Sequence, residues 1–173
     1  GKPPAIKSWN GTAWGTLGSI PGTLTAWVRT FHNYNGDLLV GVESAPVSGA
    51  YRWDGASWQA MGHLDGPVRR FAEAEEGLLA LGPFNTAGGI AAEGVARWNG
   101  VDWEPFHTQP GSDFNGEVFN YEVYQNKLVI GGLFYAEYSN DLGHRLALKE
   151  SSGWVPFPFE FPHNSSGSIQ VLS

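Results

Sequence analysis

Trp53-Asp54-Gly55-Ala56-Ser57-Trp58 decides the fold, because the chain repeats it. Trp9-Asn10-Gly11-Thr12-Ala13-Trp14 precedes it and Trp98-Asn99-Gly100-Val101-Asp102-Trp103 follows it. A fourth copy, Lys149-Glu150-Ser151-Ser152-Gly153-Trp154, keeps the second tryptophan and shifts the glycine. The second tryptophans lie 44, 45 and 51 residues apart. A period in that range, filled with strand signals, is what a β-propeller with four strands per blade produces. Asn-Gly and Asp-Gly favour turns whose central residues take positive φ, and such turns join antiparallel neighbours. The flanking tryptophans then stand on adjacent strands, where large rings pair across the ladder or wedge against the next sheet.

Outward from these motifs, the repeat predicts hairpins near 5–17, 50–61, 94–106 and 145–157. A second hairpin precedes each later one. Its first strands are expected at 24–31, 68–74 and 118–124, its turns at Asn35-Gly36, Glu76-Gly77 and Gln125-Asn126, and its second strands at 38–42, 78–81 and 128–131. Phe71-Ala72-Glu73-Ala74-Glu75-Glu76 is built of helix formers, but its repeat mates at 27–32 and 121–126 are aromatic and β-branched, so strand and turn are expected there too. The expectation is one all-β domain over 1–173, a β-propeller of roughly four repeats of about 45 residues. The phase is offset: the chain opens on the third strand of a unit and ends on a first strand at 168–172. Ring closure would ask Ile169, Gln170, Val171 and Leu172 to join the sheet begun at 5–17, still one strand short. A small closed ring, a piece of a longer propeller and a ring completed by a second chain all remain open. Unclosed terminal strand edges would favour self-association.

Composition agrees with a packed β domain. The 173 residues include 24 glycines, 11 prolines, eight tryptophans, six tyrosines and ten phenylalanines, and 42% are hydrophobic. A formal charge of −7 leaves no basic footprint for nucleic acid or an anionic membrane surface. No apolar run approaches the roughly 20 residues that span a bilayer. Zero cysteines exclude disulfides, zinc-thiolate sites and thiol nucleophiles. Gly1 at the start implies processing, excision from a longer chain or a cleaved tag, and no signal peptide is visible.

The three Trp-Asn/Asp-Gly-x-x-Trp hairpins, together with Gly82-Pro83-Phe84 and Gly132-Leu133-Phe134, resemble the tandem Trp-Asp/Asn-Gly propeller repeats of bacterial secreted and surface proteins. Related repeats occur in fungal cortical polarity-marker proteins and, more distantly, in kelch-like and galactose-oxidase-like propellers. Thr86-Ala87-Gly88-Gly89, followed by Gly94-Val95-Ala96-Arg97-Trp98, is similar to the family's linker and third strand. The resemblance covers roughly 5–172 and departs twice: Val42-Glu43-Ser44 replaces Gly-x-Phe, and the last unit lacks its first tryptophan. It implies an extracellular or envelope-associated propeller, usually one part of a larger architecture, and carries over no catalytic motif.

Candidate ligand contacts follow from the aromatics. Trp14, Trp58, Trp103 and Trp154 could be equivalent walls of sugar pockets, since aromatic faces stack on sugar rings; packing between sheets is the default for large rings at fixed repeat positions. Tyr135 and Tyr138 sit in the insertion that lengthens the third interval, read as a loop able to carry binding. Glu73 and Glu122 fall on first strands, where a propeller's central channel would hold paired carboxylates. Glu75 and Glu76 read as solvated turn charge, and Asp102 and Glu104 as solvent-facing neighbours of Trp103. Asp113-Phe114-Asn115-Gly116-Glu117 offers alternating oxygens but lacks a full calcium-loop pattern and reads as a turn. His32, His63, His107, His144 and His163 show no metal-binding spacing and are expected on surface loops. Asn164-Ser165-Ser166 fits the glycosylation acceptor pattern of a secreted eukaryotic chain. No phosphate-binding or nucleophile-elbow motif is present.

These readings call for no cofactor and no metal, and for a protein or glycan partner rather than nucleic acid or membrane. The leading expectation is a non-catalytic propeller module that displays a binding surface in a secreted, surface or multi-subunit assembly. A lectin-like propeller is the alternative, and a glycan-active enzyme on the same scaffold is the third, because fold alone does not settle activity.

Overall fold

The computed structural model describes residues 5–22, 25–44, 47–92, 94–106, 114–125, 127–136, 146–150 and 153–156; of 114–119, 133–136, 153, 154 and 156 it describes the backbone alone. The described residues are all-β, without helix, and every strand pairing is antiparallel. Sheet I is a hairpin of β1 (Lys7–Trp9) and β2 (Trp14–Thr16). Sheet II is a meander of β3 (Trp27–Tyr34), β4 (Asp37–Glu43), β5 (Gly49–Trp53) and β6 (Trp58–Ala60). Sheet III repeats it with β7 (Arg70–Ala74), β8 (Gly77–Leu81), β11 (Val95–Trp98) and β12 (Trp103–Pro105). Sheet IV repeats it again with β13 (Phe114–Tyr124), β14 (Lys127–Ala136), β15 (Leu146–Glu150) and β16 (Gly153–Pro156). Phe71–Ala74 is strand, as its repeat position requires, because burial of Phe71 and Ala72 outweighs local helix propensity.

The turns between the paired tryptophans explain the repeated Asx-Gly. Asn10, Asp54 and Asn99 each aim a side-chain oxygen back at the two backbone N–H groups that close the turn. Asn10 Oδ1 accepts from Thr12 and Ala13, Asp54 Oδ1 from Ala56 and Ser57, and Asn99 Oδ1 from Val101 and Asp102, all at 2.8–3.0 Å. Only the glycines take positive φ there, with Gly11, Gly55 and Gly100 at 99–101°. The turns are therefore Asx-braced four-residue loops, and the carboxylate or amide oxygen supplies what a two-residue turn would obtain from backbone alone. Asn35 (φ 52°) and Gly36 (φ 89°) between β3 and β4 do form the two-residue type with both positive angles.

Three interfaces hold the sheets face to face. Val40, Val42, Tyr51 and Trp58 of sheet II meet Ile6 and Leu17 of the first hairpin and Ile20 beyond it. The opposite face of sheet II, with Leu39, Ala50 and Met61, meets Phe71, Leu78, Ala80, Ala96 and Trp103 of sheet III. Leu79, Leu81, Val95 and Phe106 then meet Leu128, Ile130 and Ala147 of sheet IV. Alternation along each second strand sends successive residues to opposite interfaces, so β4 and β8 are buried on both sides. First strands are also neighbours, β3 beside β7 and β7 beside β13. The approach is close at Gly41, where a Cβ would lie 2.2 Å from the Val68 carbonyl oxygen and 2.8 Å from Thr30 Cγ2.

Three local expectations are corrected. Residues 114–117 are not a turn but the first part of β13, paired with 133–136 of β14. The insertion in the third interval is therefore in part an extension of this hairpin, and Tyr135 lies on β14 opposite Asn115 rather than in a loop. Thr86-Ala87-Gly88-Gly89 is no bare linker either: β9 (Thr86–Ala87) and β10 (Ile90–Ala91) form a small hairpin whose Ala87 enters the core between sheets II and III. Tyr138, Asp113, His107, His144, His163, Asn164 and the strand expected at 168–172 lie outside the described residues.

Candidate functional site

The repeat tryptophans separate into two chemical roles. In the three hairpins that carry both tryptophans the two rings pair across the ladder, with centroids 5.4 Å apart for Trp9–Trp14, 5.3 Å for Trp53–Trp58 and 5.2 Å for Trp98–Trp103. The second ring of the pair is a wedge between sheets. Trp58 is 2% exposed and its Nε1–H donates to the Leu17 carbonyl at 2.8 Å; Trp103 is 1% exposed and donates to the Met61 carbonyl at 2.6 Å. Buried in this way, Trp58 and Trp103 present no face to a ligand, and the packing alternative describes them. Leu17 and Met61 each lie three residues after the preceding wedge position, Trp14 and Trp58. Trp14 itself is 70% exposed. Trp154 occupies the same position in β16, where only backbone is described.

Between sheets II and III the turns frame a groove of about 710 Å³. Its polar lining comes from Tyr34, Asp37, Arg52, Gln59, Glu76 and Asn99, and the half-buried Trp98 adds an aromatic surface. Arg52 Nη1 lies 3.3 Å from Asp37 Oδ2, with both side chains about half exposed. The ion pair is wet, so the guanidinium keeps donors for a ligand and contributes little to stability. Gln59 Nε2 is oriented by Asp54 Oδ2 at 3.1 Å and by Ser57 Oγ at 2.8 Å. Glu76, read as turn charge, stands at the rim of this groove. A concave surface with planar amide, guanidinium and carboxylate groups beside aromatic rings can bind a polar, polyhydroxylated ligand.

The remaining candidates are braced by local partners. Asp102 does not face solvent freely: its Oδ1 accepts from the His63 backbone N–H at 2.7 Å, and its Oδ2 lies 2.9 Å from His63 Nδ1. Desolvation alone would raise its pKa, but the hydrogen bonds from the His63 ring, the His63 backbone and the Trp103 backbone outweigh it and lower the pKa. Asp65 behaves alike: desolvation opposes, and the N–H groups of Thr86 and Asn85 win, tying the loop after β6 to the β9–β10 hairpin. Glu104 is lowered by hydrogen bonding to Arg97 and then Asn99. Asp54 falls to about 2 because the Ser57 and Ala56 backbone N–H groups stabilise its anion.

His32 is on strand β3, not a loop, and its Nε2 lies 2.9 Å from Glu73 Oε1 on β7. Glu73 thus bridges two first strands. Glu122 on β13 accepts from the Val123 backbone N–H at 3.1 Å, and Glu75 lies in the turn before β8. The Tyr121 hydroxyl donates to the Phe71 carbonyl, joining β13 to β7, and burial raises its pKa. Among the described residues, no three His, Asp or Glu side chains cluster as a metal site would require, and no helix is long and apolar enough to cross a membrane.

The groove residues escaped sequence reasoning because they belong to different units, Asp37, Arg52 and Gln59 to one and Glu76, Trp98 and Asn99 to the next. The available signal was that all flank turns at the same end of successive meanders. Comparison with family models, with characterised proteins and with solved structures returned no match.

Proposed function

We propose that this chain is a β-propeller module, or part of one, whose task is binding rather than catalysis. One observation carries the reading: the interface in which a wedge tryptophan donates to the carbonyl three residues beyond the previous wedge position occurs twice, with Leu17 and then Met61 as the equivalent acceptors. A repeated step of this kind is what radial symmetry requires, and the series of neighbouring first strands β3, β7 and β13 supports the reading, since a propeller would bring such strands together near its axis. The resemblance to Trp-Asp/Asn-Gly repeats supports a place outside the cell or in its envelope. An experimental structure of the intact protein tests the fold. Successive sheets related by one rotation axis, with first strands innermost, are expected; a linear stack of sheets would refute it.

The second reading, carbohydrate binding, is favoured by the groove between sheets II and III. The ligand is a neutral or acidic glycan whose hydroxyls meet Arg52, Asp37, Gln59 and Asn99 beside Trp98. Glycan-array screening followed by calorimetry tests it. Arg52→Ala and Trp98→Ala should each weaken the selected glycan at least tenfold, whereas Trp9→Ala should not. Absence of any glycan hit, or hits unaffected by both groove substitutions, would remove this reading and leave a protein partner.

A further inference from the structure

We propose that Trp27, Arg29 and Glu43 form a second ligand site, separate from the groove, that takes a sugar acid: a pyranose ring carrying a carboxylate. Trp27 stands opposite Glu43 at the open end of the β3–β4 hairpin, whereas the groove lies at its turn end, beside Tyr34 and Asp37. At the usual rise of a strand, Trp27 and Tyr34 are roughly 20 Å apart.

A bulge delivers Arg29. The β3–β4 register shifts between Val28 and Thr30, so Arg29 has no opposite residue and its side chain is re-aimed. The same irregularity recurs in β13 between Val118 and Asn120, where the extra residue is Phe119. The bulge therefore belongs to the fold and does not itself call for a guanidinium. Arg29 Nε–H donates to Glu43 Oε2 at 2.7 Å, and its Cζ lies 5.4 Å from the centre of the Trp27 ring. These contacts hold the guanidinium by its Nε edge and one face. Nη1 and Nη2 make no hydrogen bond among the described residues, so the terminal fork is unspent. Such a planar fork grips a carboxylate through two parallel hydrogen bonds.

The neighbours indicate what the carboxylate is attached to. Trp27 is 66% exposed, so the stacked guanidinium covers only part of its ring, and its Nε1–H has no acceptor among the described residues. An open indole face fits the C–H face of a pyranose, and the N–H suits a ring hydroxyl. Glu43 Oε1 accepts no hydrogen bond among the described residues and can take a hydroxyl proton. Glu43 Oε2 lies 4.0 Å from Arg69 Nε, just before β7, as well as 2.7 Å from Arg29. A carboxylate shared by two guanidinia suits a neutral hydroxyl donor better than an ammonium, which separates a sugar acid from an amino acid. The Arg29–Glu43 pair is part exposed and contributes little to stability, so its substitution leaves the fold intact.

The test is a titration of the isotope-labelled full chain with methyl glucuronide, read at the Trp27 indole N–H resonance, which Trp27→Phe identifies. Methyl glucoside, with a hydroxymethyl group in place of the carboxylate, is the comparison. The acid should shift the resonance saturably, and the glucoside should bind at least tenfold more weakly. Arg29→Lys keeps the charge but loses the fork, and Arg29→Gln loses both; each should weaken the acid at least tenfold with spectral dispersion retained. The wild-type comparison of acid and glucoside stands even where a variant unfolds. No saturable shift with the acid, equal binding of the glucoside, or undiminished binding to Arg29→Gln would overturn the proposal. So would tighter binding of phenylalanine, an amino acid, than of the glucuronide. A shift lost in Arg52→Ala and kept in Arg29→Gln would put the acid in the groove, and overturns it equally. Failure of the groove to bind a glycan is a separate result, because none of its lining residues belongs to this site.

Discussion

Trp103→Phe isolates the chemistry of an interface from its shape. Phenylalanine keeps an aromatic ring against Phe71 and Trp98 but deletes the Nε1–H that donates to the Met61 carbonyl at 2.6 Å. A net hydrogen bond is worth about 1 kcal/mol, and the buried carbonyl left without a donor adds roughly 1–3 kcal/mol. The smaller ring leaves a small void, so the expected loss is about 2–4 kcal/mol out of the roughly 5–15 kcal/mol typical of a domain. Trp14→Phe provides the internal control, because the exposed Trp14 indole has no acceptor among the described residues and the substitution should change stability by less than about 0.5 kcal/mol. Urea unfolding followed by far-ultraviolet circular dichroism, at a concentration low enough to keep the chain monomeric, measures both. The midpoint should move for Trp103→Phe with its slope unchanged. Equal effects of the two substitutions, or a loss at Trp103 below 0.5 kcal/mol, would refute the hydrogen-bonded wedge as the element that holds adjacent sheets.

Acid sensitivity should concentrate partly in one turn. Asp54 has a folded pKa of about 2 against an ordinary 3.8, so its contribution is present above about pH 4 and fades as pH falls toward 2. Asp54→Asn, which reproduces the residue found at Asn10 and Asn99, should flatten that limb of the stability-versus-pH curve while keeping the turn. Asp54→Ala should lower stability at neutral pH as well, and denaturation series from pH 2 to 7 distinguish the two. Gly41→Ala should be severe for its size, about 2–4 kcal/mol by thermal or urea unfolding, because its methyl group would meet backbone at Val68 rather than a yielding side chain.

The strands were legible because their signals are local. Period-two burial, the Asn35-Gly36 turn and the Asx-Gly turns each act within a few residues, and repeat mates corrected the helix-like composition of 71–76. The extended β13–β14 hairpin was harder to see, since residues 114–117 contain Asn and Gly, and only pairing with 133–136 makes them strand. Tryptophan roles were beyond local reading. Trp14, Trp58 and Trp103 have near-identical sequence surroundings, and their exposure differs according to what another unit places over them. The groove shares that origin, because Arg52 and Trp98 come together through sheet packing rather than through any spacing along the chain.

The wedge bond has a consequence for how such a chain can change in length. Donor and acceptor are 41 residues apart in one interface and 42 in the next, so neither belongs to a self-sufficient segment. Removing or duplicating one whole period brings a donor indole opposite the carbonyl of another apolar residue, and each bond is re-formed with a new neighbour. An excision of half a period strands an indole on one side of the cut and a carbonyl on the other. Genetic growth and shrinkage should therefore be tolerated in complete steps and punished in fractions.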